Sequence, residues 1–240
     1  MADVAPLVVA CALAAGLGGL LVPRLIQALP EPETSEAAPG EDPKPPYAEV
    51  GSATGLVWRA VLAAAVVGAI VGAVVGRDWW LVALVPLVPI CVALAVIDWH
   101  TRLLPSRIVL PATAYVLIVA LAGWGISGDP GDLVRAAIGL VAARSAYWLL
   151  WFIHSAGMGF GDVRLAALLG FSLGHVGWGE LVLGMYAGFL VFGLPGLLLA
   201  LVKWDRALLK TAFPFGPFML VGALIGLVAG PAAAAYLVRG

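Results

Sequence analysis

Charge is what this sequence has least of. Asp, Glu, Lys and Arg make up 11% of its 240 residues, against 62% hydrophobic residues and a mean hydropathy of +1.05. Soluble globular domains carry about 25% charge, and so few charges cannot cover a surface in water. A soluble fold is excluded. The chain reads as an all-α polytopic membrane protein, a bundle of spans of about 20 residues each. A net charge of −1 gives no basis for nucleic-acid binding. Cysteine is almost missing. Cys11 and Cys91 each sit in an apolar run, with no CxxC pair and no disulfide framework. The HExxH spacing of helix-borne zinc proteases is absent too, and neither metal nor cofactor is expected. The N-terminus lacks the basic stretch that opens a secretory signal. Asp3 precedes the apolar run and no Lys or Arg comes before Arg24. That run reads as a retained helix with its N-terminus outside.

What is there is long and apolar. Runs at 5–23, 57–76, 79–97, 107–125, 134–153, 163–176, 179–202 and 216–237 predict about eight transmembrane helices. The sixth is short and interrupted by Gly170, Gly174 and His175. Between the first two runs lies LPEPETSEAAPGEDPKPPYAEVG. It holds too little apolar surface to fold alone. The expected organisation is an N-terminal transmembrane helix over 1–25, a disordered cytoplasmic linker over 26–54 and a membrane domain over 55–240. Basic residues set the orientation. The inside loops hold Arg24, Lys44, Arg102, Arg107, Arg164, Lys203, Arg206 and Lys210; the outside holds Arg77 and Arg239, with Arg135 near the outer end of the fifth span. That places IDWHTRLLPSR and GMGFGDVR on the same, cytoplasmic face.

Each of those two segments carries a carboxylate at a membrane edge. Asp98 ends the run VPICVALAVID, and Asp162 opens the sixth run. Singly, either has an ordinary reading: a helix cap, or the first solvated residue of a loop. Together they suggest chemistry. Two carboxylates held close share a proton and their pKa values split. The ionised one takes a proton from water and the protonated one donates to a carbonyl oxygen, which is peptide hydrolysis without a metal. Gly157, Gly159 and Gly161 remove side chains just before Asp162, so a peptide can approach and unusual φ angles are tolerated. Arg164 either favours an ionised Asp162, holds a substrate carbonyl, or anchors the inner face.

GMGFGDVRLAALLG resembles the GxGD signature of the prepilin peptidase (type IV leader peptidase) family of membrane aspartyl proteases. IDWHTRLLPSRIVLP resembles the family's first aspartate segment, with Leu104-Pro105 as its apolar-Pro pair. FPFGPFMLVGALIG, with Pro214, Phe215, Gly216 and Pro217, is similar to its closing segment. The three occur in the family's order. The resemblance implies a peptidase domain over 55–240, with Asp98 and Asp162 as catalytic dyad. It implies substrate contacts at Gly157, Gly159, Gly161, Arg164, Pro105 and Pro214–Pro217. It also implies type IV prepilin or pseudopilin precursors as partners, met in the lipid bilayer at the cytoplasmic face of a bacterial membrane. Ser106 stands where the family has Asp or Asn, and Arg164 where it has Lys. Bifunctional members carry paired CxxC motifs linked to methylation of the new N-terminus. The linker here has no cysteine, so no N-methyltransferase activity is expected.

Arg144 lies deep in the fifth span, where a charge costs roughly 3 kcal/mol. It is expected to face the bundle interior and pair there. Asp98, His100, His154 and Asp162 do not have metal-site spacing and read as two acids flanked by loop histidines. GISG at 125–128 runs into DPGD, which is turn chemistry. The rival class is a transporter using Asp98, Asp162 and Arg144 as an ion or proton relay. It predicts internal repeats and mid-membrane acids; the sequence shows no convincing repeat, and both acids lie at the edge.

Overall fold

The structure, a computed structural model, describes residues 4–31, 44–153, 158–203 and 214–239. Those residues form ten helices and no strand: α1 Ala5–Gly19, α2 Val22–Gln27, α3 Tyr47–Ser52, α4 Leu56–Val75, α5 Leu81–Thr101, α6 Ser106–Ser127, α7 Gly131–Ile153, α8 Phe160–Val176, α9 Trp178–Lys203 and α10 Gly216–Arg239. Each of the eight apolar runs is helical, the first being broken at Leu20 and Leu21 between α1 and α2. Among the described residues, six helical segments are long and apolar enough to cross a membrane: Ala5–Gln27, α4, α5, α6, α7 and Gly216–Tyr236 of α10. The protein is an all-α polytopic membrane protein. The chain divides into two units, Met1–Ile108 and Val109–Gly240.

In the first unit small residues let α1 and α4 touch. A Cβ on Gly68 would meet Ala15 Cβ at 2.6 Å, and one on Gly19 would meet Val61 Cα at 2.8 Å. Without a hydrophobic drive inside lipid, such close backbone contact is what holds membrane helices together. α5 packs on both, its Pro89 seated against Gly18. The chain runs down α1, up α4 and down α5, so α1 ends, α4 begins and α5 ends at one pole. α2 and α3 lie at that pole and touch each other and α5. The expectation of a disordered linker over 26–54 does not hold at its described ends. Tyr47 and Val50 of α3 are buried, and the Glu31 carboxylate accepts the Tyr47 and Ala48 backbone N–H groups at 2.8 and 3.0 Å. A carboxylate sixteen residues upstream thereby caps a two-turn helix whose own N-cap position, Pro46, offers no side-chain acceptor.

In the second unit α8 is the hub. Every residue from Val163 to His175 except Arg164 is buried. At 17 residues it is too short to count among the six spans. It is also apolar on nearly all sides, as a core helix is. α7 crosses it at Gly139 and Gly170, where a Cβ on Gly139 would stand 2.5 Å from the Gly170 carbonyl oxygen. Arg135 of α7 then reaches the end of α8. Its Nε donates to Gly174 O at 2.6 Å, and its Nη2 donates to His175 O and to Val176 O. Three carbonyls left open by the end of the helix are thus satisfied by one cation, which also suits the helix dipole. α9 and α10 pack through glycines four apart. A Cβ on Gly222 would meet Gly188 Cα at 2.6 Å and Gly184 O at 2.8 Å.

Candidate active site

Asp98 belongs to the first unit. It is 4% exposed and lies inside α5, one turn before the helix ends. The reading of Asp98 as a first solvated loop residue is therefore set aside. The helix closes just after it: Arg102 donates its N–H to Asp98 O at 2.8 Å and takes a left-handed φ of 53°. Thr101 Oγ1 donates to Ile97 O at 2.8 Å and accepts the Leu103 N–H at 3.3 Å. These bonds fix the turn that carries Asp98 and lead into Leu104, which is buried, and Pro105, which is half-buried. His100 points elsewhere: it is exposed, with Nδ1 bonded to Val96 O at 2.8 Å.

Asp162 belongs to the second unit, in the first turn of α8, and is 6% exposed. Its Oδ2 accepts the Gly159 N–H at 2.9 Å, while the Gly159 carbonyl accepts the Asp162 N–H at 3.0 Å. The cap reading is thus correct as far as it goes. Yet a cap does its work in solvent, and this carboxylate is buried in an apolar bundle, where an acid is a functional suspect.

Gly159 has φ −76° and ψ 150°, ordinary extended backbone. Among the described residues, the glycines with positive φ are Gly55, Gly76 and Gly128. The expectation of unusual φ angles before Asp162 therefore fails at Gly159 and Gly161. Nor does packing demand a glycine at 159: a Cβ there would meet Asp162 Oδ2 at 3.5 Å, an ordinary contact. Gly159 is exposed and extended, with a missing side chain that the fold does not require. Gly157 and His154 lie outside the described residues. Arg164 is half-buried, and its guanidinium stacks 4.9 Å over the Phe160 ring.

The closing segment comes to the same neighbourhood. Pro214, Phe215 and Gly216 are buried and Pro217 is half-buried at the start of α10. The Phe215 ring lies 6.1 Å from Tyr147, 5.2 Å from Phe189 and 5.0 Å from Phe192. Tyr147 is 2% exposed and donates its hydroxyl to Met185 O at 3.3 Å. Antiparallel packing sets Gly139 against Gly170 and Arg135 against Gly174. The same register, two turns on, sets Tyr147 level with Asp162. The sequence reading missed Tyr147. Its signal is the four-residue step Gly139, Ala143, Tyr147, which lies on the face buried against α8. The structure also corrects Arg144. It lies exposed on α7, not in the bundle interior, because the buried face of that helix is taken by those small residues one position away.

The sequence pattern of the type IV leader peptidase family matches residues 85–230 and so covers Asp98, Asp162 and Phe215. The chain belongs to that family. It is 34% identical over 148 residues to a prepilin leader peptidase/N-methyltransferase of Pseudomonas putida, covering 61% of this chain and 49% of that one. To the protein so named in Pseudomonas aeruginosa it is 31% identical over 170 residues, 70% of this chain and 57% of that one. The corresponding Escherichia coli protein is 32% identical over 163 residues, 60% and 67%. The chain spans about half the length of the first of these relatives. No solved structure matches it.

Proposed function

We propose that the chain is a membrane aspartic endopeptidase that removes the leader from type IV pilin-like precursors, with Asp98 and Asp162 as the dyad. The observation that carries this reading is the burial of both carboxylates in apolar helices, at 4% and 6% exposure. A lone buried carboxylate is strongly disfavoured, and two that share one proton relieve each other. In the working enzyme the two acids meet around one water. The ionised carboxylate takes a proton as the water oxygen adds to the scissile carbonyl carbon, and the protonated one gives its proton to the carbonyl oxygen. Collapse of the tetrahedral adduct returns a proton to the amide nitrogen and breaks the C–N bond.

The exposed, side-chain-free backbone at Gly159 is the approach for an extended peptide, with Gly157 and Gly161, the latter in the first turn of α8, as further substrate contacts. Pro105, Arg164 and the Pro214–Pro217 segment frame that approach. The precursor is itself a membrane helix and arrives by lateral diffusion. The excess of basic residues in the inner loops supports a site that faces the cytoplasm. Both cysteines lie in apolar runs and the 26–54 segment has none, so the reading excludes the methyl transfer that the names of the relatives include. The transporter reading loses its third member, since Arg144 lies exposed while both acids are buried. The test is cleavage of a pilin-type precursor in membranes by Asp98→Asn and Asp162→Asn, singly. Loss in both is expected, and full cleavage by either removes the dyad.

A further inference from the structure

α5 stops without a glycine. A helix commonly ends on a residue in the left-handed region, and that residue is usually glycine. Here it is Arg102, at φ 53° and ψ 34°, the one non-glycine residue with a positive φ among the described residues. Left-handed backbone is costly for a residue with a Cβ, so neighbouring bonds must hold it. Thr101 supplies them. It is 0% exposed, and its Oγ1 donates to Ile97 O at 2.8 Å while accepting the Leu103 N–H at 3.3 Å. One buried hydroxyl thus ties the last turn of α5 to the chain that leaves it. The Arg102 N–H closes the same turn on Asp98 O at 2.8 Å. Asp98 sits within that turn, between the two residues that the hydroxyl joins to Leu103. A threonine bonded back to the carbonyl four residues earlier is ordinary in a helix, and Thr113 of α6 does so to Val109 O at 2.8 Å. Taking an N–H from beyond the helix end at the same time is a further task, which an apolar side chain of the same shape cannot perform.

We propose that Thr101 is a positioning residue for the cleavage reaction: its hydroxyl keeps the last turn of α5 wound and so holds the Asp98 carboxylate where the chemistry needs it. The inference rests on the peptidase reading above. Helix ends are where a fold opens first, and Asp98 lies one turn from this one. Without the hydroxyl the Leu103 N–H loses its acceptor and the left-handed turn at Arg102 loses its support. The last turn then unwinds toward Asp98. A shift of about 1 Å at a reacting group costs about a hundredfold in rate. A frayed turn therefore harms catalysis well before it harms the fold, whose helices pack along their whole length.

The full chain is reconstituted in phosphatidylcholine vesicles with a membrane-anchored pilin-type precursor. Thr101→Val keeps the shape and removes the hydroxyl. It is expected to lower kcat by about tenfold or more while KM stays within about threefold of the parent. Thr101→Ser returns the hydroxyl and is expected to recover kcat to within about threefold. Arg102→Ile disturbs the same turn from its other side, since a β-branched residue is poorly suited to φ 53°, and is expected to lower kcat in the same way. Thr113→Val removes a like hydroxyl from α6 and is expected to leave kcat within about twofold. Hydrogen exchange at the Leu103 amide is the second readout, expected to quicken in Thr101→Val and Arg102→Ile and to match the parent in Thr101→Ser. Parent-like kcat in Thr101→Val overturns the positioning role and leaves the peptidase standing. Equal losses in Thr101→Val and Thr101→Ser assign the effect to side-chain packing and overturn it too, as does a loss carried by KM alone. Absence of cleavage by the unsubstituted chain, with exchange quickened in Thr101→Val, overturns the peptidase reading and reduces Thr101 to a helix stop.

Discussion

The Asp162 carboxylate turns back on its own helix, accepting the Gly159 backbone N–H at 2.9 Å. One oxygen of the proposed catalytic acid thus does structural work. The two roles separate by substitution. Asp162→Asn keeps an oxygen for that N–H and loses the ability to exchange a proton. It is expected to unfold in detergent at the temperature of the parent while cleavage falls by about 10³-fold or more. Asp162→Ala loses both roles, so the same cleavage defect comes with a stability loss of about 0.5–2 kcal/mol. A parent-like cleavage rate in the Asn variant would mean that Asp162 is a cap and nothing else.

Gly159 tests whether the missing side chain serves a visiting peptide. The fold accepts a methyl there, 3.5 Å from Asp162 Oδ2, on extended backbone. Gly159→Ala and Gly159→Val are therefore expected to unfold like the parent. Cleavage is expected to fall in order of size, by about threefold for Ala and about 30-fold or more for Val, as a peptide strand is pushed off the backbone it pairs with. Unfolding assays set beside KM for a pilin-type precursor read both. Lost stability with unchanged KM contradicts the approach role.

The membrane class, the helices and the candidate acids were legible in the sequence for one reason. Inside lipid, charge is rare enough that each surviving Asp is conspicuous, and apolar length alone marks a helix. Three things were not legible. The place of α8 as the hub was one, because a short helix buried on nearly all sides has the same apolar composition as a span at the lipid face. The 26–54 segment gave no sign that Glu31 caps α3, since such a contact has no fixed spacing. Arg144 was turned the wrong way. Depth can be read from a sequence, but the face of a helix cannot when both faces are apolar, and α7 announces its buried side only by small residues at Ala136, Gly139 and Ala143. Tyr147 continues that step and went unread for the same reason.

The α7–α8 crossing carries the next expectation. At Gly139 a Cβ would sit 2.5 Å from a backbone oxygen that belongs to a helix buried on every side and has nowhere to move. Gly139→Val is expected to destabilise the chain by about 1–3 kcal/mol through overpacking. It is also expected to lower cleavage, since the same crossing sets the level of Tyr147 against Asp162. Gly125→Ala in α6 is the control. Nothing lies within 4 Å of the added Cβ, and alanine in a helix is neutral or stabilising by about 0.5–1 kcal/mol. Thermal unfolding of both in one detergent measures the contrast, and equal effects would mean that the crossing is looser than its geometry.

The pole of the first unit carries a pH-dependent element outside the spans. Tyr47 is buried in α3, and its phenol is pushed above its ordinary value first by that burial and then by the negative charge of Glu31. A raised phenol favours the neutral form in the folded chain. The stability it contributes is therefore whole below about pH 10, the ordinary tyrosine value, and drains away as pH climbs through the higher folded value. Tyr47→Phe has no proton to lose there. Between about pH 9 and 11 the parent is expected to lose thermal stability faster than Tyr47→Phe. Glu31→Gln is expected to lie between the two, because it removes the second cause and keeps the first. Glu31→Ala adds a different defect: the Tyr47 and Ala48 amides lose their acceptor and exchange faster at neutral pH, where the phenol is uncharged. Identical alkaline slopes for the parent and Tyr47→Phe would show that the phenol ionises without disturbing the packing of α2 on α3.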